Sequence, residues 1–237
     1  MKQVILTGAN GQIGRGFLEA LVKREYFVYA IDINVDDIKT SHNVEPIKLD
    51  ITNERDVGNF FSSIQYIDVL INNAGLGVFT PFEERTASEF KKVMEVNLLG
   101  LFLMCQSTIK IMKNSNGGKI VNIASVYGSK SSDERIYGDS GRNNSEVYSA
   151  TKAGVISLTK YMAAHFGKYN IQINSISPGG VYNNQTEDFI TNYEYKTPMR
   201  RMAHVKDLIS TLFYLLSEDT GYTNGQDIAV DGGFLAW

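Results

Sequence analysis

Short apolar runs rich in valine and isoleucine alternate along the chain with longer stretches whose apolar residues recur at helical spacing. The apolar runs predict six strands, at 3–7, 27–32, 68–72, 119–124, 171–177 and 227–231. The longer stretches predict helices at about 12–25, 53–64, 86–113, 146–169 and 205–217. Strands that are apolar almost throughout and separated by helices are typical of a parallel sheet covered on both faces. The pattern therefore predicts one doubly wound α/β domain spanning residues 1–237.

Two polar segments interrupt this alternation, at 128–147 and 180–200. Each follows a strand at the carboxyl edge of the predicted sheet, where such folds bind ligands, so both are predicted to be loops on the substrate side. The first has charges of both signs, which fits a solvated surface loop as well as a rim that contacts substrate. The second is rich in amides and tyrosines, which suit a hydroxyl-rich ligand such as a sugar. Arg200 and Arg201 at its end suit either a phosphate or a structural ion pair.

The composition excludes several classes of function. The net charge of −3 and the lack of a Lys/Arg cluster argue against a nucleic-acid partner. No window approaches the ~18 apolar residues of a membrane span and no signal peptide is visible, so a cytoplasmic protein without membrane contact is expected. Cys105 lies in an apolar run and is predicted to be a buried helix residue in a reducing compartment. His42, His165 and His204 lack ligand spacing, so no metal is predicted.

A glycine pattern links the first strand to the first helix. Gly8, Gly11 and Gly14 allow the backbone to approach a pyrophosphate that rests on free N–H groups at the helix N-terminus. Asp32 ends the second strand, 18 residues beyond Gly14. A carboxylate there accepts hydrogen bonds from the adenosine ribose and repels a 2′-phosphate. With no Arg or Lys at 8–13, the sequence predicts NAD as the cofactor in preference to NADP.

Motifs along almost the whole chain resemble those of the short-chain dehydrogenase/reductase family. They are TGANGQIG at 7–14, LDIT at 49–52, NNAG at 72–75, VNLLG at 96–100, IVNIAS at 120–125, YSATK at 148–152 and SPGG at 177–180. The stretch from TPMRRMAHV to the end resembles the classical branch of the family. The resemblance implies a Rossmann fold and an NAD-dependent oxidoreductase that transfers hydride between nicotinamide and a secondary alcohol or ketone. It also implies a homodimer or homotetramer, because the family commonly pairs the long helices that span about 86–113 and 146–169 here.

Four residues carry the catalytic roles that this resemblance implies. Tyr148 would be the general acid/base, and Lys152, four residues later on the same helix face, would bind the nicotinamide ribose. An adjacent ammonium favours the phenolate, so the pKa of Tyr148 is expected to be lowered. Ser125 would hold the substrate oxygen, and Asn97 would support a water linking Lys152 to solvent.

The resemblance also implies which residues contact the cofactor. They come from the glycine motif, the ends of the following strands, the catalytic helix and the segment after strand 171–177. The set is Gly8, Asn10, Gln12, Ile13, Asp32, Asp50, Ile51, Asn73, Ala74, Gly75, Tyr148, Lys152, Pro178, Gly179 and Val181.

Two features depart from the classical branch. The glycine spacing is TGxxGxxG, as in the extended branch, with Gln12 in place of the middle glycine. In addition, Tyr148 lies 23 positions after Ser125, which is more than the classical gap. The extended branch includes nucleotide-sugar epimerases and dehydratases, but the chain is too short for that branch's C-terminal sugar-binding domain. The mixture most resembles oxidoreductases encoded in bacterial surface-sugar and flagellin-modification clusters, so a sugar or sugar derivative is the expected substrate.

Alternatives remain open for the catalytic serine and for the function. Four serines lie nearer to Tyr148 in sequence, but Ser125 ends an apolar strand that fixes its position, and catalytic geometry tolerates little looseness. The other four are in a polar loop with nothing obvious to hold them: Ser131, Ser132, Ser140 and Ser145. The alternative functions are an epimerase or dehydratase that retains its NAD and a non-catalytic cofactor-binding regulator. The intact four-residue set argues against the regulator.

Overall fold

Seven parallel strands form one sheet in the computed structural model, which describes residues 1–237. The strands are β1 (Gln3–Thr7), β2 (Phe27–Asp32), β3 (Val44–Lys48), β4 (Val69–Asn72), β5 (Gly118–Ile123), β6 (Ile171–Pro178) and β7 (Asp227–Val230). Their order in the sheet is β3-β2-β1-β4-β5-β6-β7. The order reverses between β1 and β4, and in open α/β sheets this switch point opens the crevice that binds ligands.

Helices cover both faces of the sheet. They are α1 (Gln12–Val22), α2 (Glu54–Ser62), α3 (Ala87–Met94), α4 (Leu101–Lys113), α5 (Glu146–Phe166), α6 (Glu187–Lys196) and α7 (Val205–Leu216). Successive side chains of a strand point to opposite faces, and β1 follows this rule. Ile5 joins the core cluster beneath α2, α4 and α5, whereas Val4 and Leu6 join the cluster beneath α1 and α7. The predicted doubly wound α/β fold is therefore confirmed.

The edge strand β3 is the one strand that the apolar pattern did not predict. Its sequence, VEPIK, contains a glutamate, a proline and a lysine. β3 pairs only with β2, so Pro46 occupies an edge strand, where a missing N–H is tolerated. An edge strand buries less surface than a central one, and the continuous apolar run is lost for that reason.

Two predicted boundaries are wrong in an informative way. The stretch 86–113 is not one regular helix, because a π-helical segment, Glu95–Gly100, separates α3 from α4. The predicted loop 180–200 contains α6, whose polar sequence buries only Tyr193 completely. Its apolar residues Phe189, Ile190 and Tyr193 lie on one helix face, but they span little more than one turn within a polar segment.

The structure also bears on the predictions for Cys105, for membrane spans and for self-association. Cys105 is fully buried on α4, as predicted, and burial raises the pKa of its thiol to about 12. No helix is both long and apolar enough to cross a membrane. Leu99, Phe102 and Tyr161 are exposed apolar side chains on the two long helical stretches that the family resemblance expects to pair. The homodimer or homotetramer stays a prediction.

Candidate active site

The turn between β1 and α1 packs tightly against the end of β4. Gly8 has a φ of +64°, and a Cβ there would lie 2.7 Å from the Cα of Ala74. A Cβ on Gly14 would lie 2.0 Å from the carbonyl oxygen of Gly8. Gly11 caps α1 without a side chain, so no side chain covers the N–H groups of the first turn. A glycine turn followed by an uncapped helix N-terminus fits the pyrophosphate of a dinucleotide.

We expect Gly14→Ala to lower the free energy of unfolding by roughly 2 kcal/mol and to weaken NADH binding, because the added methyl group meets backbone that cannot rotate away. Urea unfolding and NADH fluorescence titration measure the two effects. Gly58→Ala is the matched control, since Gly58 lies exposed on α2 with no atom within 4 Å of its added Cβ. It should stabilise the protein by about 0.5–1 kcal/mol. Equal effects of the two substitutions would contradict the close packing of the turn.

Asp32 holds the glycine turn against the end of β2. Its carboxylate accepts hydrogen bonds from the backbone N–H of Asn10 at 2.9 Å and of Asn34 at 3.2 Å. The side-chain oxygen of Asn10 is buried and has no hydrogen-bond partner. A half-buried carboxylate beside an unsatisfied amide fits the adenosine end of a dinucleotide.

The end of β4 lies against the same turn. Thr7 accepts hydrogen bonds on its hydroxyl from the N–H groups of Asn73 and Ala74, both at 3.1 Å. The side chain of Asn73 donates to the carbonyl oxygens of Thr7 and Gly8 at 3.2 and 2.9 Å. These bonds fix β4 and the glycine turn to each other at the switch point of the sheet.

The remaining predicted cofactor residues make separate contacts or line the cavity beside the turn. The Asp50 carboxylate accepts hydrogen bonds from the N–H and the hydroxyl of Thr52 at 2.9 and 2.7 Å. Ile51 packs against Gly100. The Gln12 side chain donates to the carbonyl oxygen of Tyr182. The cavity beside the turn is lined by Ile13, Asn73, Gly75, Pro178, Gly179 and Val181.

The π-helical segment places Asn97 where it joins two loops of the site. The Asn97 side chain accepts the N–H of Leu76 at 2.8 Å and donates to its carbonyl oxygen at 2.9 Å. It also donates to the hydroxyl of Thr151 on α5 at 3.1 Å. A Cβ on Gly75 would lie 3.4 Å from both the Asn97 amide oxygen and the Lys152 Nζ. Asn97 and Lys152 therefore face each other across Gly75, and π-helical segments are frequent at functional sites.

Ser125, Tyr148 and Lys152 converge on one cavity of about 590 Å³. Ser125 follows β5 and is almost fully buried. Tyr148 lies in the first turn of α5, where Ser145 caps the helix by accepting the Tyr148 N–H at 3.2 Å. Lys152 is 5% exposed, and its ammonium donates to the carbonyl oxygen of Ile123 at 2.7 Å. The structure thus brings the three sequence-predicted residues together, and Ser145 is committed to the helix cap.

Comparisons with known proteins agree with this geometry. A family model described as enoyl-(acyl carrier protein) reductase matches residues 8–235. The chain belongs to the short-chain dehydrogenase/reductase family. It is an NAD(P)-dependent oxidoreductase, and the family resemblance read from its motifs is confirmed.

Three short-chain dehydrogenase/reductase relatives bear on the chemistry. A short-chain dehydrogenase from Leptospira borgpetersenii, solved with bound NAD⁺, is 43% identical, with a TM-score of 0.94 over 98% of this chain and 92% of its own. The 2-dehydro-3-deoxy-D-gluconate 5-dehydrogenase of Formosa agariphila is 34% identical over 80% of this chain and 72% of that enzyme. ElxO, solved with NADP bound, is 26% identical, with a TM-score of 0.85 over 100% and 99% of the two chains. Relatives of this fold therefore bind either dinucleotide.

The ionisable groups of the short-chain dehydrogenase/reductase site depart from the sequence-based expectation. Burial raises the pKa of the Tyr148 phenol, and the nearby Ser125 hydroxyl lowers it by less. Burial also lowers the pKa of the Lys152 ammonium to about 8. The expected lowering of the Tyr148 pKa by Lys152 is wrong for this structure. The Lys152 Nζ lies 5.6 Å from the centre of the Tyr148 ring and points at Ile123 instead.

Both polar segments border the catalytic cavity, and the first is better anchored than its sequence suggests. Ile136 is fully buried, and Tyr137 packs in a cluster that includes Tyr193 of α6. Asp133 pairs with Arg135 at 2.7 Å and also with Lys196 on α6. The expectation that nothing holds this segment is therefore wrong. The sequence did not reveal the anchors because they are single residues without periodic spacing.

Other sequence expectations are resolved by contacts outside the cavity. Arg201 pairs with Asp207 at 2.7 Å, and Arg200 donates to the carbonyl oxygen of Tyr195 at 2.7 Å, so the structural ion pair is correct for Arg201. No group of three or more His, Cys, Asp or Glu side chains lies together in a way that could hold a metal ion.

Sequence reasoning missed two residues that organise the site. Thr7 fixes the glycine turn to β4, and Thr151 accepts the Asn97 amide. Thr7 had a usable signal, because a hydroxyl residue at the last position of a strand meets the free N–H groups of its neighbour. Thr151 lies between Tyr148 and Lys152 in the catalytic motif, and only the fold shows that its side chain turns toward Asn97.

Proposed function

We propose that this enzyme is an NAD-dependent oxidoreductase of secondary alcohols or ketones, with Tyr148 as the general acid/base. The observation that carries the proposal is the convergence of Ser125, Tyr148 and Lys152 on a single cavity that also reaches the predicted nicotinamide segment Pro178–Gly179. A phenol, an ammonium and a hydroxyl that line one cavity are the groups that proton transfer to a substrate oxygen requires.

In this proposal each side chain has one task. Ser125 donates a hydrogen bond to the substrate oxygen and positions it beside Tyr148. During oxidation the Tyr148 oxygen accepts the hydroxyl proton, and during reduction it returns that proton to the carbonyl oxygen. Lys152 orients the cofactor ribose. When bound, nicotinamide supplies the hydride acceptor or donor.

The preference for NAD over NADP rests on the charges around the ribose position. The Asp32 carboxylate faces this position and would repel a 2′-phosphate. The nearest cation of the turn, Arg15, is paired with Asp37 at 2.7 Å and also donates to the carbonyl oxygen of Asn10 at 2.8 Å. No basic residue at 8–13 is left to attract a second phosphate.

A polyhydroxylated substrate is the finer part of the proposal. Asn183 and Asn184 border the cavity and carry amide groups suited to hydroxyl groups, while the Gln185 side chain bonds to the backbone of Val181 and Asn183. The Formosa relative is named for a sugar-acid substrate. A place in surface-sugar or flagellin modification stays a prediction.

A substrate panel tests the proposed function. Secondary alcohols, polyols, sugar acids and sugar nucleotides are offered to the enzyme with NAD⁺ or NADP⁺, and reduced cofactor is followed by absorbance. NADH should accumulate with at least one polyol or sugar derivative, and kcat/KM with NAD⁺ should exceed that with NADP⁺ by about ten-fold. Product formed without net NADH would indicate an epimerase or dehydratase. A higher kcat/KM with NADP⁺ would overturn the role of Asp32.

A further inference from the structure

Arg142 is a cation at the catalytic cavity that the proposed mechanism does not use. It lies in the 128–147 segment, borders the cavity and is exposed. Its side chain forms neither a salt bridge nor a hydrogen bond, whereas Arg135 of the same segment is paired with Asp133. The charge of Arg142 is therefore available to a ligand.

The guanidinium is nevertheless held in place. Its central carbon lies 4.1 Å from the centre of the Phe79 ring, which also borders the cavity. The backbone beneath it is fixed by hydrogen bonds from the Asn143 N–H to the Phe79 carbonyl oxygen at 3.2 Å and from the Arg142 N–H to the Ser140 hydroxyl at 3.3 Å. Stacking on an aromatic face occupies the plane of a guanidinium and leaves its N–H edge free for a planar, two-oxygen partner.

The charge balance of the cavity favours an anion. No Asp or Glu is among its lining residues, and its only cations are Lys152 and Arg142. Lys152 is directed at the carbonyl oxygen of Ile123. One free guanidinium matches the single charge of a carboxylate better than the double charge of a phosphate.

A second observation comes from the same segment. Asn144 borders the cavity and is 7% exposed, and its side-chain nitrogen has no hydrogen-bond partner. Arg142 and Asn144 both line the cavity from the irregular stretch that precedes α5. Tyr137 lines the same cavity and lies close enough to Arg142 for the guanidinium charge to lower the pKa of its phenol, against the larger effect of burial.

We infer that Arg142 binds a carboxylate of the substrate and makes this enzyme selective for hydroxy acids and their keto acids. Asn144 adds a neutral donor beside the guanidinium. The inference rests on the proposed function for the position of the reacting hydroxyl. It assigns the 128–147 segment a role in substrate selection.

The test uses pairs of compounds that differ only in charge: 3-hydroxybutanoate and its amide, 4-hydroxypentanoate and its amide, and gluconate and gluconamide. Calorimetry measures their binding to the enzyme–NADH complex, and kcat/KM is measured with NAD⁺. For the best pair the acid should bind at least about ten-fold tighter than the amide. Arg142→Gln should reduce this ratio to about two or less, without changing amide binding. Arg142→Lys should give an intermediate ratio, because it keeps the charge and loses the planar fork.

Arg135→Gln is the matched control, since Arg135 is exposed and does not border the cavity. It should leave the acid-to-amide ratio unchanged. No acid preference in any pair, or a preference that persists in Arg142→Gln, overturns the inference. Tighter binding of inorganic phosphate than of every acid would assign the site to a phosphate instead and also overturn it. Binding requires no hydride transfer, so an Arg142-dependent preference without turnover would reject the proposed function and leave this inference standing.

Discussion

Tyr148→Phe is expected to lower kcat by about 10³-fold or more, because it removes the only group placed to exchange a proton with the substrate oxygen. The substitution keeps the ring, which packs against Gly77 with its nearest carbon 3.5 Å from the position a Cβ would take there. It also keeps the backbone N–H that bonds to Ser145. NADH affinity and the unfolding midpoint should therefore stay close to the wild-type values. Steady-state kinetics and NADH titration measure the two quantities.

Tyr161→Phe provides the control on the same helix. Tyr161 is 58% exposed and stacks on His165, away from the cavity. Its loss should leave kcat within about two-fold of wild type, as surface substitutions usually do. If Tyr148→Phe retained more than a tenth of the wild-type kcat, general acid/base catalysis by Tyr148 would be wrong.

The sequence was sufficient for the central part of the fold because the central strands are buried on both faces. Burial on both faces favours apolar residues, so β1 and β4 contain the uninterrupted runs VIL and VLI, and β5 and β6 each contain three isoleucine or valine residues. The edge strand β3 and the helix α6 are not under this constraint. Both are formed through contacts with neighbours distant in sequence, which a local pattern does not contain.

In the active site, too, the positions of some residues could be predicted from the sequence and their surroundings could not. Ser125 was predictable because it ends an apolar strand, and Tyr148 and Lys152 because their spacing puts them on one helix face. The environment of these groups was not predictable. Local spacing indicates only that Lys152 lies near Tyr148. Burial is the largest cause of both pKa shifts. The cavity around the two residues is lined by the 128–147 segment, α6 and the end of β5, which are distant from one another in the sequence. The sequence likewise could not show that Arg135 forms a salt bridge and that Arg142 forms none, because both depend on how the segment folds.

Lys152→Met is expected to abolish activity and yet to stabilise the protein at neutral pH. Burial lowers the pKa of Lys152 from 10.5 to about 8, which corresponds to a destabilisation by the buried charge of about 3 kcal/mol. Methionine fills a similar volume without a charge. It also loses the hydrogen bond to the Ile123 carbonyl oxygen, which costs about 1 kcal/mol. The net expectation at pH 7 is a gain of about 2 kcal/mol in the free energy of unfolding.

The sign of this effect determines its pH dependence. Between about pH 8 and 10.5 the unfolded chain binds a proton at Lys152 that the folded chain has lost, so wild-type stability rises with pH in this window relative to the variant. The advantage of Lys152→Met should therefore shrink above about pH 8, reach zero near pH 10 and become a small disadvantage above about pH 10.5, where only the lost hydrogen bond remains. Urea unfolding of both proteins at matched pH values measures the difference, in which other titrating groups cancel. Lys160→Met, at an exposed position of the same helix, should change stability by less than about 0.5 kcal/mol. A Lys152→Met protein less stable than wild type at pH 7 would show that the ammonium is better solvated than its burial indicates, and that Lys152 is maintained for stability as well as for catalysis.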